Sequence, residues 1–457
     1  MTDFTPWALL LDAGLIGMLL GLGVLLRALL PPLQALMIPA SIIAGFLGLI
    51  FGPAGLGWIP FSSQVGTYAS VLIVVVFSCL AMANDFGLSK VKGHIAGFAS
   101  YSVLMYAVQV AAGMLVVLLV IGPVFGVSDN FGILIFAGWA GGFGTAAAIG
   151  QVFTDAGQAE MQSLAFTSAT VGLLVGIVGG IIQAKVGAQK GHAKEFEGMG
   201  SLPKEMRTGL LDDHPDRPII GRHTFSGSSI DTLGFQVAVV AAISAGAYAV
   251  SLWLGSVFPA ISFPVFSIAF LVGLGMRGLF RAMRATRFID RESLDSISGA
   301  STDILIVCGI VSIKPQLVAS HAVELTLLFV FALALCLFLG LVVAPRTLSG
   351  AWFEKQIFTW GWSTGAVATG IALLRIVDPK LKSKTLDDFA IAYIPVVPVE
   401  VSAVTFAPVL TLAGAAWVVV GIWGAIAVVA AALLVLLARR EQLSPATSHP
   451  VRSTVSQ

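Results

Sequence analysis

The sequence has little charge. Only 11% of its 457 residues are Asp, Glu, Lys or Arg, whereas an average soluble domain carries roughly 25%. Hydrophobic residues make up 57% of the chain, which leaves too little polar surface to solvate a globule of this size. The composition therefore excludes an ordinary soluble protein and predicts a chain surrounded mostly by lipid. A net charge of +1 also argues against nucleic acid as a partner.

Cysteine and histidine are scarce as well. The three cysteines, Cys79, Cys308 and Cys336, lie in apolar runs, so we interpret them as small core residues rather than a disulfide or metal framework. The six histidines fall mostly in loops, with no Ser/His/Asp cluster and no metal-ligand spacing. A membrane enzyme is therefore disfavoured, and the sequence predicts a protein without catalytic residues.

Long apolar runs dominate what is present. A membrane-spanning helix needs about 20 mostly apolar residues. The uninterrupted runs of about this length are 7–30, 36–56, 65–84, 95–121, 162–186, 232–257, 262–280, 295–319, 323–345, 388–412 and 415–438. The predicted fold class is an all-α polytopic membrane protein.

Two further apolar segments, 131–153 and 353–376, are interrupted by small and polar residues. If both are re-entrant hairpins and the N-terminus is outside, every lysine and arginine except Lys314 faces the cytoplasm. A full crossing by 131–153 would move a basic loop outside and break this pattern. We therefore predict two hairpins, an inner (plasma) membrane location, an outside N-terminus and a cytoplasmic C-terminus.

The two halves of the chain resemble each other weakly. "IPASIIAGFLGLIFGP" (38–53) parallels "FPVFSIAFLVGLGMRG" (263–278), and "GTAAAIG" (144–150) parallels "TGAVATG" (364–370). Five crossings separate the repeats, so they have opposite orientations, each with about five transmembrane helices and one hairpin. Inverted repeats with matching broken helices are typical of secondary transporters that bind substrate near the bilayer midplane. The predicted organisation is a first repeat at 1–186, a cytoplasmic linker at 187–229, a second repeat at 230–412, an added helix at 413–440 and a disordered cytoplasmic tail at 441–457.

The first hairpin contains Gly142-x-Gly144-x-x-Ala147, which also fits a dinucleotide-binding turn. That interpretation requires a strand before it and an acidic residue after it, and neither is apparent. A broken, glycine-rich helix at membrane depth is tolerated where it lines a cavity or is buried in protein. The sequence therefore predicts a binding site at this break.

A helix that begins inside the membrane exposes free backbone N–H groups that can bind a carboxylate. The predicted substrate-binding residues are Gly142, Gly144, Thr145, Ser363, Thr364, Gly365 and Arg375. The alternative is that the glycines and threonines only allow close packing. Arg375 could instead pair with Asp378 or with lipid headgroups.

Two sets of oxygen ligands are candidates for the coupled cation, sodium or a proton. Glu400 lies near the middle of 388–412. Because a carboxylate at that depth is costly, its presence there indicates a function. Ser301, Thr302 and Asp303 offer the hard oxygens that small cations prefer. The alternative for Glu400 is a carboxylate that faces a polar seam between helices or that stays protonated. The alternative for Asp303 is a solvated carboxylate near the cytoplasmic end of its helix.

These motifs give the chain a resemblance to the bacterial sodium/glutamate symporters. The resemblance covers nearly all of 1–412 and includes "GGFGTAAA" (family form GGHGTxAA), "TGAVATGIA" and "VVP" at Val396–Pro398. It implies a homodimeric carrier that transports an acidic amino acid together with sodium, with both hairpins on a mobile, elevator-type domain. The sequence departs from the family pattern at Phe143, where the family has histidine, and at Trp360, Trp362 and Ser363. The alternative is a proton- or sodium-coupled carrier of another small organic anion.

Overall fold

The computed structural model describes residues 5–83, 91, 94–193, 204–211, 213, 217, 219–258 and 264–443. Within these ranges all regular secondary structure is helical. Nine of the helices there are long and apolar enough to cross a membrane, or ten if a bent pair counts as one span. The predicted all-α polytopic membrane protein is confirmed.

Seven helices form the first half of the chain. α1 begins after Thr5, whose hydroxyl accepts a hydrogen bond from the amide of Ala8 at 3.2 Å. The bounds are α1 Pro6–Leu29, α2 Ala40–Phe51, α3 Val65–Ala83, α4 His94–Val116, α5 Leu134–Gly138, α6 Gly142–Asp155 and α7 Glu160–Gln189. The chain continues from α4 through Val117–Ile121 and Gly122–Phe125 without leaving the helix.

The second half follows a similar order and adds one helix at its end. The bounds are α8 Thr232–Val257, α9 Val265–Ala282, α10 Arg291–Val311, α11 Ala322–Phe338, α12 Trp352–Thr364, α13 Val367–Val377, α14 Thr385–Ala392, α15 Val396–Leu412 and α16 Ala416–Leu443. α11 continues through Leu339–Val343 and Ala344–Thr347. Three short helices, Pro31–Ala35, Lys204–Thr208 and Pro315–Ser320, lie in the connections.

The prediction of a full spanning helix at 36–56 is wrong. α2 has 12 residues, about 18 Å at 1.5 Å per residue, against a hydrocarbon core of about 30 Å. It begins after Pro39 and ends at Gly52, and Pro53 cannot donate a hydrogen bond to continue it. The chain nevertheless returns along α1, because Ala40 lies against Gly23 and Ser62 bonds Asp12.

The predicted run 388–412 is a pair of helices rather than one straight helix. α14 and α15 are bent by 53° relative to each other, and Pro395 caps the start of α15. Proline lacks the N–H that would continue the helical hydrogen bonds, which is a recognised cause of a kink. Beyond the bend, α15 is in contact with α4 and α6.

α4 and α11 each contain one turn of π-helix, Val117–Ile121 and Leu339–Val343. In both, the turn closes with an amide that donates to the carbonyl five residues earlier, from Gly122 and from Ala344. A proline follows one residue later in each case. The two helices that precede the hairpins therefore share the same local irregularity, which adds to the sequence similarity between the halves.

Parts of the predicted connections cannot be compared with the structure. Most of the tail predicted at 441–457 lies outside the described residues, as do 194–203 in the linker predicted at 187–229. The described end of that linker is tied to α10. The carboxylate of Asp290 caps α10 by accepting from the amide of Ser293 at 3.0 Å. It also accepts from Ser293 Oγ at 2.6 Å and from the amide of Arg222 at 2.9 Å.

Replacing Asp290 with asparagine is expected to destabilise the protein by about 1 kcal/mol at neutral pH, because hydrogen bonds to a charged acceptor contribute more to stability than those to a neutral one. Burial raises the pKa of Asp290, but the hydrogen bonds from Ser293 and from the Arg222 amide outweigh burial and place it below the usual value. The Asp290 contribution is therefore complete above about pH 3.9, the unfolded-state pKa, and is lost as the pH falls through the lower folded-state value. Thermal unfolding of both proteins from pH 7 down to pH 3 measures this, with the exposed Asp129→Asn as control. A difference that does not shrink as the pH falls below about 3.9 would contradict it.

Candidate functional site

The two hairpin breaks touch each other. The first break separates α5 from α6, and the second separates α12 from α13. Gly142 has a positive φ of 62°, and a Cβ added there would lie 2.4 Å from the carbonyl oxygen of Gly365. Only glycine fits this approach. The structure therefore brings together the two tips that the sequence predicted as a binding site.

α7 is the helix on which both hairpins pack, since it contacts α5, α6, α12 and α13. A Cβ at Gly172 would lie 2.6 Å from the Thr364 carbonyl oxygen, and one at Gly176 would lie 2.5 Å from Thr364 Oγ1. The indole N–H of Trp360 donates to the carbonyl of Gly176 at 2.9 Å. Small residues allow this close approach of backbones. Trp360, which departs from the family pattern, thus anchors the second hairpin to α7.

Helix α4 supplies polar side chains to the breaks. Gln109 is fully buried and donates from Nε2 to the carbonyl of Ser363 at 2.9 Å. Four buried polar atoms on these elements have no hydrogen-bond partner among the described residues: Tyr106 Oη, Gln109 Oε1, Trp139 Nε1 and Ser363 Oγ. Buried polar atoms normally have partners, and each one without costs about 1–3 kcal/mol. Donors and acceptors of a small ligand would satisfy them.

The hydroxyl groups at the tips differ in availability. Thr364 Oγ1 donates to the carbonyl of Trp360 at 2.7 Å, so its proton is used within α12. Thr145 is buried in the first turn of α6 and folds back over Gly141. Ser363 Oγ has no such partner among the described residues. Gly144 faces Ile73 of α3, where a Cβ would meet the side chain at 3.0 Å.

Phe143, at the position of the family histidine, belongs to the core. Its side chain is 6% exposed, and its ring stacks on Phe166 of α7 with centroids 6.5 Å apart. Aromatic packing therefore takes the place that a polar ring nitrogen would have in the family pattern. The first hairpin is held to α7 by this contact.

Glu400 is connected to the second hairpin. The hydroxyl of Tyr393 donates to Glu400 Oε2 at 2.5 Å, and the ring of Trp362 packs edge-on against Tyr393 with centroids 5.6 Å apart. Trp362 directly precedes Ser363 in α12. The structure therefore links two of the predicted features, Glu400 and the second hairpin tip, through one aromatic contact.

The structure does not place the side chains of Ser301, Thr302 and Asp303, the predicted cation ligands, on one side of α10. Consecutive residues of an α-helix point about 100° apart. Accordingly Ser301 is buried, Asp303 is exposed, and Thr302 Oγ1 donates to the carbonyl of Ser298 at 2.8 Å. The three side chains diverge and do not surround one position.

Arg375 also lies away from the hairpin tips. It is exposed in the last turn of α13, ten residues beyond Gly365 and thus about 15 Å along the helix axis. Asp378, its alternative partner, accepts instead from the amides of Lys382 and Ser383 at 2.9 and 2.8 Å. Arg375 thus lies at the end of α13 far from the second break, and no ion pair between it and Asp378, the alternative partner, is present among the described residues.

Arg27 is a site candidate that the sequence did not predict. It lines a cavity of about 240 Å³ together with Ile177 of α7 and Thr369 and Leu373 of α13. Thr369 lies four residues after Gly365, so the cavity adjoins the second break. The only sign of this site in the sequence is a single arginine in the last turn of an apolar helix. Such an arginine by itself predicts a helix end on the cytoplasmic side and not a binding site.

The structure also contains a buried ion pair that the sequence did not predict. Lys355 Nζ of α12 lies 3.6 Å from Asp388 Oδ2 of α14, with side-chain exposures of 4% and 14%. Lys355 Nζ also donates to the carbonyl of Ser349 and lies over the ring of Phe98. This ion pair joins α12, the first helix of the second hairpin, to α14, which is followed after the bend by α15 with Glu400.

Asp12 is a third feature that the sequence did not predict, a carboxylate that is 1% exposed within α1. It accepts from the amide and hydroxyl of Ser62 at 3.0 and 2.5 Å and from the hydroxyl of Tyr68 at 2.7 Å. These protein donors occupy both oxygens of the carboxylate. Asp12 therefore joins α1 to the start of α3 and serves a structural role.

Comparison with known families gives one result. A family model described as "Sodium/glutamate symporter" matches residues 12–381, which is most of the chain and includes both hairpins. No curated protein matches the sequence. Glu400 lies beyond the matched range, so its interest rests on its contacts with Tyr393.

Proposed function

Since the chain belongs to the sodium/glutamate symporter family, we propose that it takes up a glutamate-like acidic amino acid together with sodium by an elevator-type alternating-access mechanism. The family is one of transporters rather than enzymes, and sodium is the co-transported ion. The proposal includes a homodimer in the inner (plasma) membrane with the N-terminus outside and the C-terminus cytoplasmic. It also includes the inverted repeats, which carry one hairpin each.

The observation that supports this proposal most directly is the contact of the two breaks among buried polar atoms that have no partner in the described part of the chain. The α-carboxylate of the substrate would bind the free N–H groups at the starts of α6 and α13. Ser363 Oγ would donate to it, and Gln109 Oε1 would accept from the substrate ammonium group. In this arrangement no cationic side chain is needed at the break itself.

The side-chain carboxylate of the substrate would extend toward Arg27. The cavity beside Thr369 has a volume of about 240 Å³, on the order of eight water volumes, which is adequate for a short acidic side chain. A guanidinium group binds a carboxylate through two parallel hydrogen bonds. Arg27 would therefore select acidic over neutral amino acids. This assigns to Arg27 the role that the sequence suggested for Arg375.

Glu400 is the proposed cation-responsive group. Sodium with one anionic glutamate would move no net charge, and each additional sodium would contribute about 2.3 kcal/mol per 100 mV of membrane potential. A second candidate is that Glu400 accepts a proton that drives transport, because protonation relieves the cost of a charged carboxylate at membrane depth. The carbonyls of Ser363 and Gly365 would supply further hard oxygens for sodium.

The test is uptake of labelled glutamate into proteoliposomes that hold an inward sodium gradient, with unlabelled amino acids and dicarboxylates as competitors. We expect uptake that requires sodium and that aspartate and glutamate inhibit. Uptake driven by a pH gradient in sodium-free buffer would show that protons, and not sodium, are the coupled ion. Absence of uptake or binding of every acidic amino acid would overturn the substrate assignment.

Replacing Glu400 with glutamine is expected to raise the sodium concentration for half-maximal uptake by about tenfold or more, the equivalent of about 1.4 kcal/mol. The neutral amide keeps the shape but loses the charge that would attract the ion. Tyr393→Phe should have a smaller effect in the same direction, because it removes one hydrogen bond. Glu324→Gln, at the start of α11, serves as control. An unchanged sodium dependence in Glu400→Gln, with normal glutamate uptake, would remove Glu400 from the mechanism.

A further inference from the structure

An open apolar groove of about 880 Å³ runs along α7, between α7 and α11, with α12 at its floor. Its α7 wall includes Val178 and Ile182, which are 43% and 55% exposed. The groove extends along α7 from Leu174 to Lys190. These positions are about 24 Å apart at 1.5 Å per residue. One leaflet of a bilayer with its headgroups is about 20–22 Å thick, so the groove matches the length of one lipid.

One end of the groove carries a positive charge, from Lys190. Lys190 and His192 lie there, just beyond the end of α7, while the rest of the lining is mostly apolar. The ring of His192 packs edge-on against Trp352 with centroids 5.0 Å apart. Tryptophan is enriched at the membrane–water interface, which places this end at headgroup level. It is also the end from which the linker at 187–229 leaves, on the side predicted to be cytoplasmic.

A buried polar side chain lies within the lining. Gln183 is 7% exposed and accepts at Oε1 from Gln356 Nε2 at 2.8 Å. Its own Nε2 has no hydrogen-bond partner among the residues that the structure describes. Gln183 is seven residues from Lys190, about 10 Å deeper along the helix axis. An ester carbonyl of a glycerolipid lies below its phosphate and accepts hydrogen bonds, so it suits this donor.

We propose that the groove binds one anionic phospholipid. Its phosphate contacts Lys190 and His192, an ester carbonyl accepts from Gln183, and an acyl chain lies along Val178 and Ile182. Charge complementarity selects an anionic over a zwitterionic lipid, since a cationic side chain near the surface contributes about fivefold in affinity. Because Trp360 also lines the groove, the lipid contacts the second hairpin directly. The proposal does not depend on which anion is transported.

The experiment is native mass spectrometry of the purified, delipidated protein in detergent, titrated with dioleoyl phosphatidylglycerol or dioleoyl phosphatidylcholine. We expect one tightly bound phosphatidylglycerol per protomer and at least about fivefold weaker binding of phosphatidylcholine. Lys190→Gln should reduce this preference about fivefold. Val178→Trp, which fills the groove, should weaken the binding of both lipids.

Lys185→Gln is the matched control, because Lys185 lies on the same helix outside the groove lining. It should leave the preference for phosphatidylglycerol unchanged. Equal binding of the two lipids, or an equal effect of Lys185→Gln and Lys190→Gln, would overturn the proposal. So would loss of a dimer in Val178→Trp, since the groove would then be an interface between copies of the chain. Both lysine variants change exposed side chains, so folding does not limit the comparison.

Discussion

Replacing Gly142 with alanine is expected to reduce sodium-driven uptake by about 100-fold, the loss that a misplacement of about 1 Å can cause. Two effects combine at this position. A φ of 62° is unfavourable for an L-residue by about 1–2 kcal/mol. The new methyl group would also lie 2.4 Å from the carbonyl oxygen of Gly365, so the two hairpin breaks must move apart. The measurement is initial uptake in proteoliposomes at matched protein content.

Gly126→Ala separates the two effects. Gly126 has a φ of 74°, close to that of Gly142, but a Cβ added there meets nothing within 4 Å among the described residues. It therefore carries a similar backbone cost without the contact between hairpins. We expect Gly126→Ala to lose a little thermal stability and to keep its uptake. Similar uptake by the two variants would mean that the approach of the breaks is not needed for transport.

The second large effect is expected on stability. Lys355→Met should lower the free energy of unfolding by about 3–5 kcal/mol, because it leaves the carboxylate of Asp388 buried without this cation. The side-chain exposures of 4% and 14% put this pair among those for which loss of one partner is costly. The measurement is unfolding in mixed detergent micelles with increasing dodecyl sulfate.

The double variant Lys355→Met, Asp388→Leu distinguishes a lost charge partner from lost packing. Apolar replacement of both members of a buried pair is often close to neutral, so the double variant should recover much of the stability. Lys380→Met, at an exposed position between α13 and α14, should change stability by no more than about 0.5 kcal/mol. A double variant as unstable as Lys355→Met would show that the lysine stem, and not the charge balance, supports α12.

The sequence predicted most of the fold because apolar length is a direct requirement of the bilayer. It also located the two hairpin breaks, since a glycine-rich interruption of an apolar run at membrane depth must line a cavity or be buried in protein. It did not predict that α2 is short, because an apolar run continues past the proline and glycine that delimit the helix. The run 388–412 likewise gave no measure of the bend that turns Glu400 toward Tyr393.

The site was predicted only in part because composition does not say which way a side chain points. Ser301 and Asp303 are neighbours in sequence, yet the helix turns them to different sides. Lys355 and Asp388 are far apart in sequence and meet only through the arrangement of α12 and α14. Arg27 shows the same difficulty, since its proximity to Thr369 depends on contacts between the first helix and the second hairpin.

The π-helical turns of α4 and α11 bear on the history of the chain. Such a turn holds one residue more than the α-helical turn it replaces, is rare, and frequently lies at a functional site. The two turns occupy corresponding places, each before a proline and one connection ahead of a hairpin. A single insertion in an ancestral half-length gene, followed by duplication and fusion, produces both at once. If the two predicted repeats arose in that way, the extra residue is older than the fused gene.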